Sequence, residues 1–189
     1  MVAFVFPGQG AQRVGMGREL YESVPAARAT YDAASDALGF DIAALCFEGP
    51  QDELTLTSNA QPAILTTSIA CLRALQEAAD ALPAPAYVAG HSLGEYSALV
   101  CAEALTLPEA VRLVRKRGEF MAEAKEGTMA AILGLAPDKV AEACDAASDA
   151  GVVAPANLND PGQVVISGER AAVKQACAEA KELGAKRAV

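Results

Sequence analysis

Tryptophan is absent, histidine occurs once, and aromatic residues make up 5% of this 189-residue chain. With His91 as the only histidine and no Cys or carboxylate cluster at ligand spacing, a metal site is not expected. The five cysteines, Cys46, Cys71, Cys101, Cys144 and Cys177, are odd in number, scattered, and never form a CxxC pair. They read as small buried hydrophobes. No apolar run approaches the ~20 residues of a membrane span, and Met1 to Phe6 is too short and lacks the basic flank of a signal peptide. A cytoplasmic protein is expected. Basic residues are outnumbered, 15 Lys and Arg against 24 Asp and Glu, for a net charge of −9. That balance argues against a nucleic-acid partner, which needs clustered cations to neutralise phosphates. Repeats and low-complexity tracts are also missing.

What is present is an apolar fraction of 52% with 21% charged residues, the profile of a globular α/β protein. Val2 to Phe6 is a continuous apolar run ending at Pro7-Gly8-Gln9-Gly10, as a buried parallel strand running into a functional loop should. Helical periodicity follows in Gly17 to Val24, Ala26 to Leu38, and Pro62 to Leu82, with Pro62 at a favourable first-turn position. A short strand, Ala86 to Ala89, leads into Gly90-His91-Ser92-Leu93-Gly94 and a helix to about Leu105. Another helix starts near Pro108 and runs past Met121. The texture then shortens, which places a boundary near Gly127 and divides the chain into 1–126 and 127–189. The second part reads as strand Met129 to Leu135, helix Asp138 to Ala147, strand Val152 to Asn157, strand Gln163 to Ser167, helix Arg170 to Leu183, and a strand opening at Ala185. This βαββαβ order is the split βαβ pattern of ferredoxin-like units. The last strand meets the chain end with no cap or turn, so a fragment of a longer protein is expected.

Gly90-x-Ser92-x-Gly94 has the nucleophile-elbow pattern, a strained strand-to-helix turn whose flanking glycines avoid Cβ clashes and expose the hydroxyl. The helix N-terminus beneath it offers free N–H groups to a developing oxyanion. An isolated match could be an ordinary turn, but here the required strand and helix flank it. Gly8-Gln9-Gly10 superficially resembles a dinucleotide loop. It fails that fingerprint, because Arg13 stands where a glycine is needed. Its backbone N–H groups could instead complete an oxyanion hole with that of Leu93; a simple tight turn is the bland alternative. Arg117 is the third signal. At ~100° per residue it falls within an apolar arc of Ala110, Leu113, Val114, Phe120 and Met121, so its fixed charge needs an anionic partner. That partner is either a protein carboxylate or a substrate carboxylate gripped beside the serine. A base is missing. His91, immediately before Ser92, should point away from the hydroxyl and serve packing or support.

These residues together resemble a known family. Phe6 to Gln12, Gln61-Pro62-Ala63, Gly90 to Tyr96, Arg117-Gly118 with Met121, and Asn157-x-Asn159-x-Pro161-Gly162-Gln163 closely resemble the malonyl-CoA:acyl carrier protein transacylases, which are related to the acyltransferase domains of polyketide synthases. The resemblance covers the whole chain. It implies an α/β fold: an incomplete α/β-hydrolase-like parallel-sheet domain with an inserted ferredoxin-like subdomain, and an active site in the cleft between the two. It implies Ser92 as catalytic nucleophile, the N–H groups of Gln9 and Leu93 as oxyanion hole, and Arg117, Met121 and Gln61 as substrate-binding residues. Arg117 would hold the free malonyl carboxylate. The partners implied are malonyl-CoA and acyl carrier protein, for a monomer of fatty-acid synthesis with no cofactor, metal or membrane association. The catalytic histidine is expected beyond Val189. Lys174, Lys181, Lys186 and Arg187 are candidates, by charge alone, for docking an acidic carrier. Alternative readings are a serine esterase or thioesterase, and a non-catalytic acyl-CoA or carrier-binding fragment.

Overall fold

The computed structural model describes residues 1–79, 81–124 and 126–189. They form two compact units, Met1–Glu123 and Ala124–Val189.

In the first unit, β1 (Ala3–Phe6) pairs in parallel with β2 (Tyr87–Gly90), Ala3 opposite Tyr87 and Phe6 opposite Gly90. Parallel pairing sends both chains out at the same edge, so the loops after Phe6 and Gly90 emerge side by side. The helices are α1 (Arg18–Ser23), α2 (Pro25–Leu38), α3 (Ile42–Glu48), α4 (Gln51–Thr55), α5 (Thr57–Ala78), α6 (Gly94–Cys101) and α7 (Leu107–Glu123). Neither α3 nor α4 was expected, since at seven and five residues each has two turns or fewer in which to repeat an amphipathic pattern. The readable trace of α3 was its cap: the Asp41 carboxylate accepts from the Ala44 N–H at 2.8 Å.

Helix α5 corrects the sequence reading at its start. It begins at Thr57, so Pro62 lies inside it and not in the first turn. Proline has no N–H to give the Ser58 carbonyl one turn earlier, a defect that ordinarily breaks a helix. Here the Arg115 guanidinium of α7 donates to that carbonyl at 3.2 Å and also to Asn59 Oδ1. The side chain of one helix thus replaces the missing amide of another. At its other end, the expected extension to Leu82 crosses residue 80, which lies outside the described residues.

Helix α7 corrects a second expectation. Its buried stripe is Leu107, Ala110, Val111, Val114 and Gly118, whereas Leu113, Phe120 and Met121 are 48%, 60% and 43% exposed. The expected arc is rotated, because large apolar residues were taken as the buried face where a close helix contact requires small ones. A Cβ added at Gly118 would stand 2.6 Å from the Thr57 carbonyl oxygen and 2.7 Å from Ser58 Cα. The rotation places Arg117 at the rim of the stripe, half-buried. Around these helices the core gathers Tyr31, Ile42, Leu54, Leu65, Ile69, Val111 and Val114. The Tyr31 hydroxyl meets the Met16 carbonyl at 3.2 Å and the Thr67 hydroxyl at 2.8 Å. Burial pushes its pKa far above the ordinary range and pushes the Cys46 thiol up to about 12.

The second unit runs β3 (Gly127–Leu133), α8 (Pro137–Ala146), a 3-10 turn (Ser148–Ala150), β4 (Val153–Asp160), β5 (Gln163–Glu169), α9 (Arg170–Glu182) and β6 (Arg187–Ala188). Its sheet has the order β4-β5-β3-β6 with every pairing antiparallel. β3 starts and stops two residues earlier than the expected Met129 to Leu135, because Gly127 and Thr128 are already held in register against Glu169 and Gly168. Ile132, Val164 and Ile166 from the sheet pack on Val140, Ala143, Ala176 and Ala180 from the helices. Among the described residues, no helix is long and apolar enough to cross a membrane.

Replacing Gly118 with Ala sets two effects against each other. Alanine gains about 1 kcal/mol of helix propensity, but the overlap with α5 backbone, which cannot rotate aside, costs about 1 to 3 kcal/mol. Gly118→Ala is expected to lower the thermal midpoint; a rise would show that the two helices can separate freely.

Candidate active site

Two glycines let the loops after β1 and β2 interlock. A Cβ on Gly90 would overlap the Gly94 carbonyl, and one on Gly94 would overlap the Phe6 carbonyl and stand 2.7 Å from the Pro7 oxygen. The His91 N–H donates to Phe6 O at 3.1 Å, and the Gly94 N–H donates to His91 O at 2.9 Å, closing the turn. Ser92 sits between them at φ +53°, the left-handed region that non-glycine residues seldom occupy. This conformation lifts the serine out of the bend: Ser92 is exposed while the next residue, Leu93, is buried. Among the described residues, neither the Gln9 nor the Leu93 N–H has a hydrogen-bond partner.

The His91 imidazole lies against the β1 loop, where a Cβ added at Gly8 would meet its Nδ1 at 2.6 Å. Among the described residues, the hydrogen-bond partner of the Ser92 hydroxyl is Arg117, whose Nη2 donates to Oγ at 2.8 Å. The other guanidinium nitrogen, Nη1, donates to Gln61 Oε1 at 2.6 Å. Gln61 is fully buried, and its Nε2 donates to Met121 Sδ at 3.3 Å. The structure therefore brings together Ser92, Arg117, Gln61 and Met121. No carboxylate among the described residues lies within ion-pair distance of Arg117. A protein ion pair, the alternative left open by the sequence, is excluded among those residues: neutral acceptors hold the cation and leave its charge uncompensated.

Sequence reading missed Thr57. Its hydroxyl accepts from Gln9 Nε2 at 3.2 Å, tying the β1 loop to the first turn of α5. The usable signal was its spacing, one helical turn before Gln61. Chemically, the cluster joins a hydroxyl on a strained turn, two unused N–H donors on the adjoining loops, and a cation with spare hydrogen-bonding capacity. Among the described residues, no group of three or more His, Cys, Asp or Glu could hold a metal ion.

The family model described as an acyl transferase domain matches residues 3–189. The chain belongs to the acyl transferase domain family. The malonyl CoA-acyl carrier protein transacylase of Bacillus subtilis (strain 168) is 54% identical over 192 residues, covering 100% of this chain and 60% of the relative. The crystal structure of an acyl-carrier-protein S-malonyltransferase from Burkholderia pseudomallei 1710b matches with TM-score 0.93 and 53% identity, over 100% of this chain and 62% of that one. A type II polyketide acyl-carrier protein in complex with its malonyl-transacylase matches with TM-score 0.91 and 46% identity, over 100% of this chain and 61% of that one. This acyl transferase chain thus spans about three fifths of the length of the proteins it matches.

The positive φ at Ser92 makes a testable demand. Ser92→Gly and Ser92→Ala both remove the hydroxyl and its bond to Arg117, but only glycine occupies this backbone region without a Cβ penalty of about 1 to 2 kcal/mol. Ser92→Gly is expected to melt higher than Ser92→Ala. Equal or inverted midpoints would mean the turn carries no strain.

Proposed function

We propose that this chain is the serine-bearing part of a malonyl-CoA:acyl carrier protein transacylase of fatty-acid synthesis. The observation that carries this reading is the Arg117 guanidinium, without a carboxylate partner among the described residues, donating to Ser92 Oγ at 2.8 Å. A hydrolase for neutral esters has no use for a permanent cation at its nucleophile. An enzyme for a dicarboxylic thioester does: one end of the acyl group presents the carbonyl to be attacked, the other a carboxylate that a guanidinium binds in a fork.

In the first half-reaction Oγ attacks the malonyl thioester carbon, the C–S bond breaks, and coenzyme A leaves as the thiol with the serine proton. In the second, the phosphopantetheine thiol of the carrier attacks the malonyl ester, the C–O bond breaks, and Ser92 recovers its proton. Each tetrahedral oxyanion is met by the N–H groups of Gln9 and Leu93, worth about 3 kcal/mol per donor in such sites. Arg117 exchanges Oγ for the malonyl carboxylate, with Gln61 and Met121 lining the same pocket. The resemblance assigns the base to a histidine in the part of the relatives that this chain does not span; His91 stays a supporting residue of the β1 loop.

We read the first unit as part of an α/β-hydrolase-like domain and the second as a ferredoxin-like subdomain, which the βαββαβ order and the strand order β4-β5-β3-β6 support. Lys174, Lys181, Lys186 and Arg187 are all exposed, in keeping with docking of an acidic carrier protein to that unit. The enzyme is read as a cytoplasmic monomer.

Incubating the full-length protein with malonyl-CoA and analysing it by mass spectrometry should show a malonyl adduct on Ser92. No adduct would favour the non-catalytic binding reading. Arg117→Ala should lose about 2 to 3 kcal/mol, roughly 30- to 150-fold in kcat/KM, for malonyl transfer while acetyl transfer gains relative to it. Equal losses with both acyl groups would contradict the carboxylate grip and favour an esterase.

A further inference from the structure

The two arms of the site, the Gln9 loop and Arg117, are both anchored on one face of one helix. Thr57 and Gln61 are separated by one turn at the start of α5, so their side chains are neighbours on its surface. Thr57 Oγ1 takes the Gln9 side chain at 3.2 Å, and Gln61 Oε1 takes the Arg117 guanidinium at 2.6 Å. The same turn is clamped to α7 by two further contacts, the close approach of Gly118 to Thr57 and Ser58 and the Arg115 bond to the Ser58 carbonyl. Pro62 frees that carbonyl to accept it. Met121 Sδ fixes the Gln61 amide: with Nε2 spent on the sulfur, the amide oxygen is the atom turned to the cation.

We propose that Thr57 and Gln61 form a positioning pair, Gln61 holding Arg117 aimed at Ser92, and Thr57 holding Gln9 where its N–H meets the oxyanion. This rests on the transacylase reading and deepens it, because it moves Gln61 from substrate contact to support of Arg117. The choice of an amide has a physical reason. A carboxylate at position 61 would bind the guanidinium more tightly but satisfy its charge, and an incoming acyl carboxylate would then compete with a permanent rival. The neutral amide orients Arg117 and leaves its full charge for the ligand.

The pair separates into two kinetic signatures in the full-length protein. Gln61→Glu keeps size and shape while adding the rival carboxylate; KM for malonyl-CoA should rise about tenfold or more, and the malonyl-to-acetyl rate ratio should fall with it. Thr57→Val removes only the hydroxyl from a half-buried position; kcat should fall about tenfold for both acyl groups at unchanged KM, and Thr57→Ser should restore it. The labelling rate of Ser92 by a neutral fluorophosphonate, which forms its own oxyanion-like adduct, should fall further in Thr57→Val than in Gln61→Glu. A purely structural role would depress malonyl, acetyl and labelling rates together in both variants. An unchanged malonyl-to-acetyl ratio in Gln61→Glu, or an unchanged labelling rate in Thr57→Val, overturns the proposal. Should the unmodified protein take fluorophosphonate but no malonyl group, the substrate reading fails, and the proposal stands or falls on the two labelling rates.

Discussion

On the transacylase reading, the chemistry depends on a guanidinium held beside a serine hydroxyl with no carboxylate among the described residues to neutralise it. Arginine cannot give up its proton, so the charge must be tolerated by geometry. Half-exposure on the rim of the α7 stripe leaves it partly hydrated, and Gln61 and Ser92 supply directed acceptors on the protein side. Both acceptors are neutral. The arrangement is therefore stable enough to persist and unsatisfied enough to attract an anion, which is the balance a binding site for a carboxylate requires.

The scaffold reaches that balance through backbone contacts too close for side chains. Gly94 sits against the carbonyls of Phe6 and Pro7, and Gly118 sits against the first turn of α5. The first contact locks the serine turn to the loop that carries Gln9; the second locks the helix that carries Arg117 to the helix that carries Gln61. Pro62 and Arg115 complete the clamp, one by vacating a carbonyl and the other by filling it. A local defect in one helix becomes a bond between two.

Candidate site residues stood out in the sequence more sharply than the frame around them. Ser92 was readable because a strained turn restricts its neighbours to glycine, leaving a sharp local pattern. Arg117 was found by helical counting although the arc assigned to it was rotated: Leu113, Phe120 and Met121 are exposed, and the buried face belongs to smaller residues. Hydrophobicity alone ranks Phe above Gly, whereas close helix packing reverses that order. The start of α5 was misplaced for a related reason, since a proline ordinarily breaks a helix interior and no local pattern announces that Arg115 covers the freed carbonyl. Thr57 was passed over because spacing alone, one turn before Gln61, does not set it apart from an ordinary threonine; its role comes from where Gln9 arrives. The βαββαβ element order of the second unit was legible in its short apolar runs, whereas the strand order β4-β5-β3-β6 comes from the structure.

The most direct test of the central claim is a crystal structure of the full-length protein trapped as its malonyl ester. The ester should lie on Oγ of Ser92, its carbonyl oxygen about 3 Å from the N–H groups of Gln9 and Leu93. The free carboxylate should be forked onto Arg117, with the guanidinium moved off Oγ and still bonded to Gln61. An acyl group whose carboxylate points into solvent, with Arg117 unmoved against Ser92 or paired to a protein carboxylate, would contradict the account.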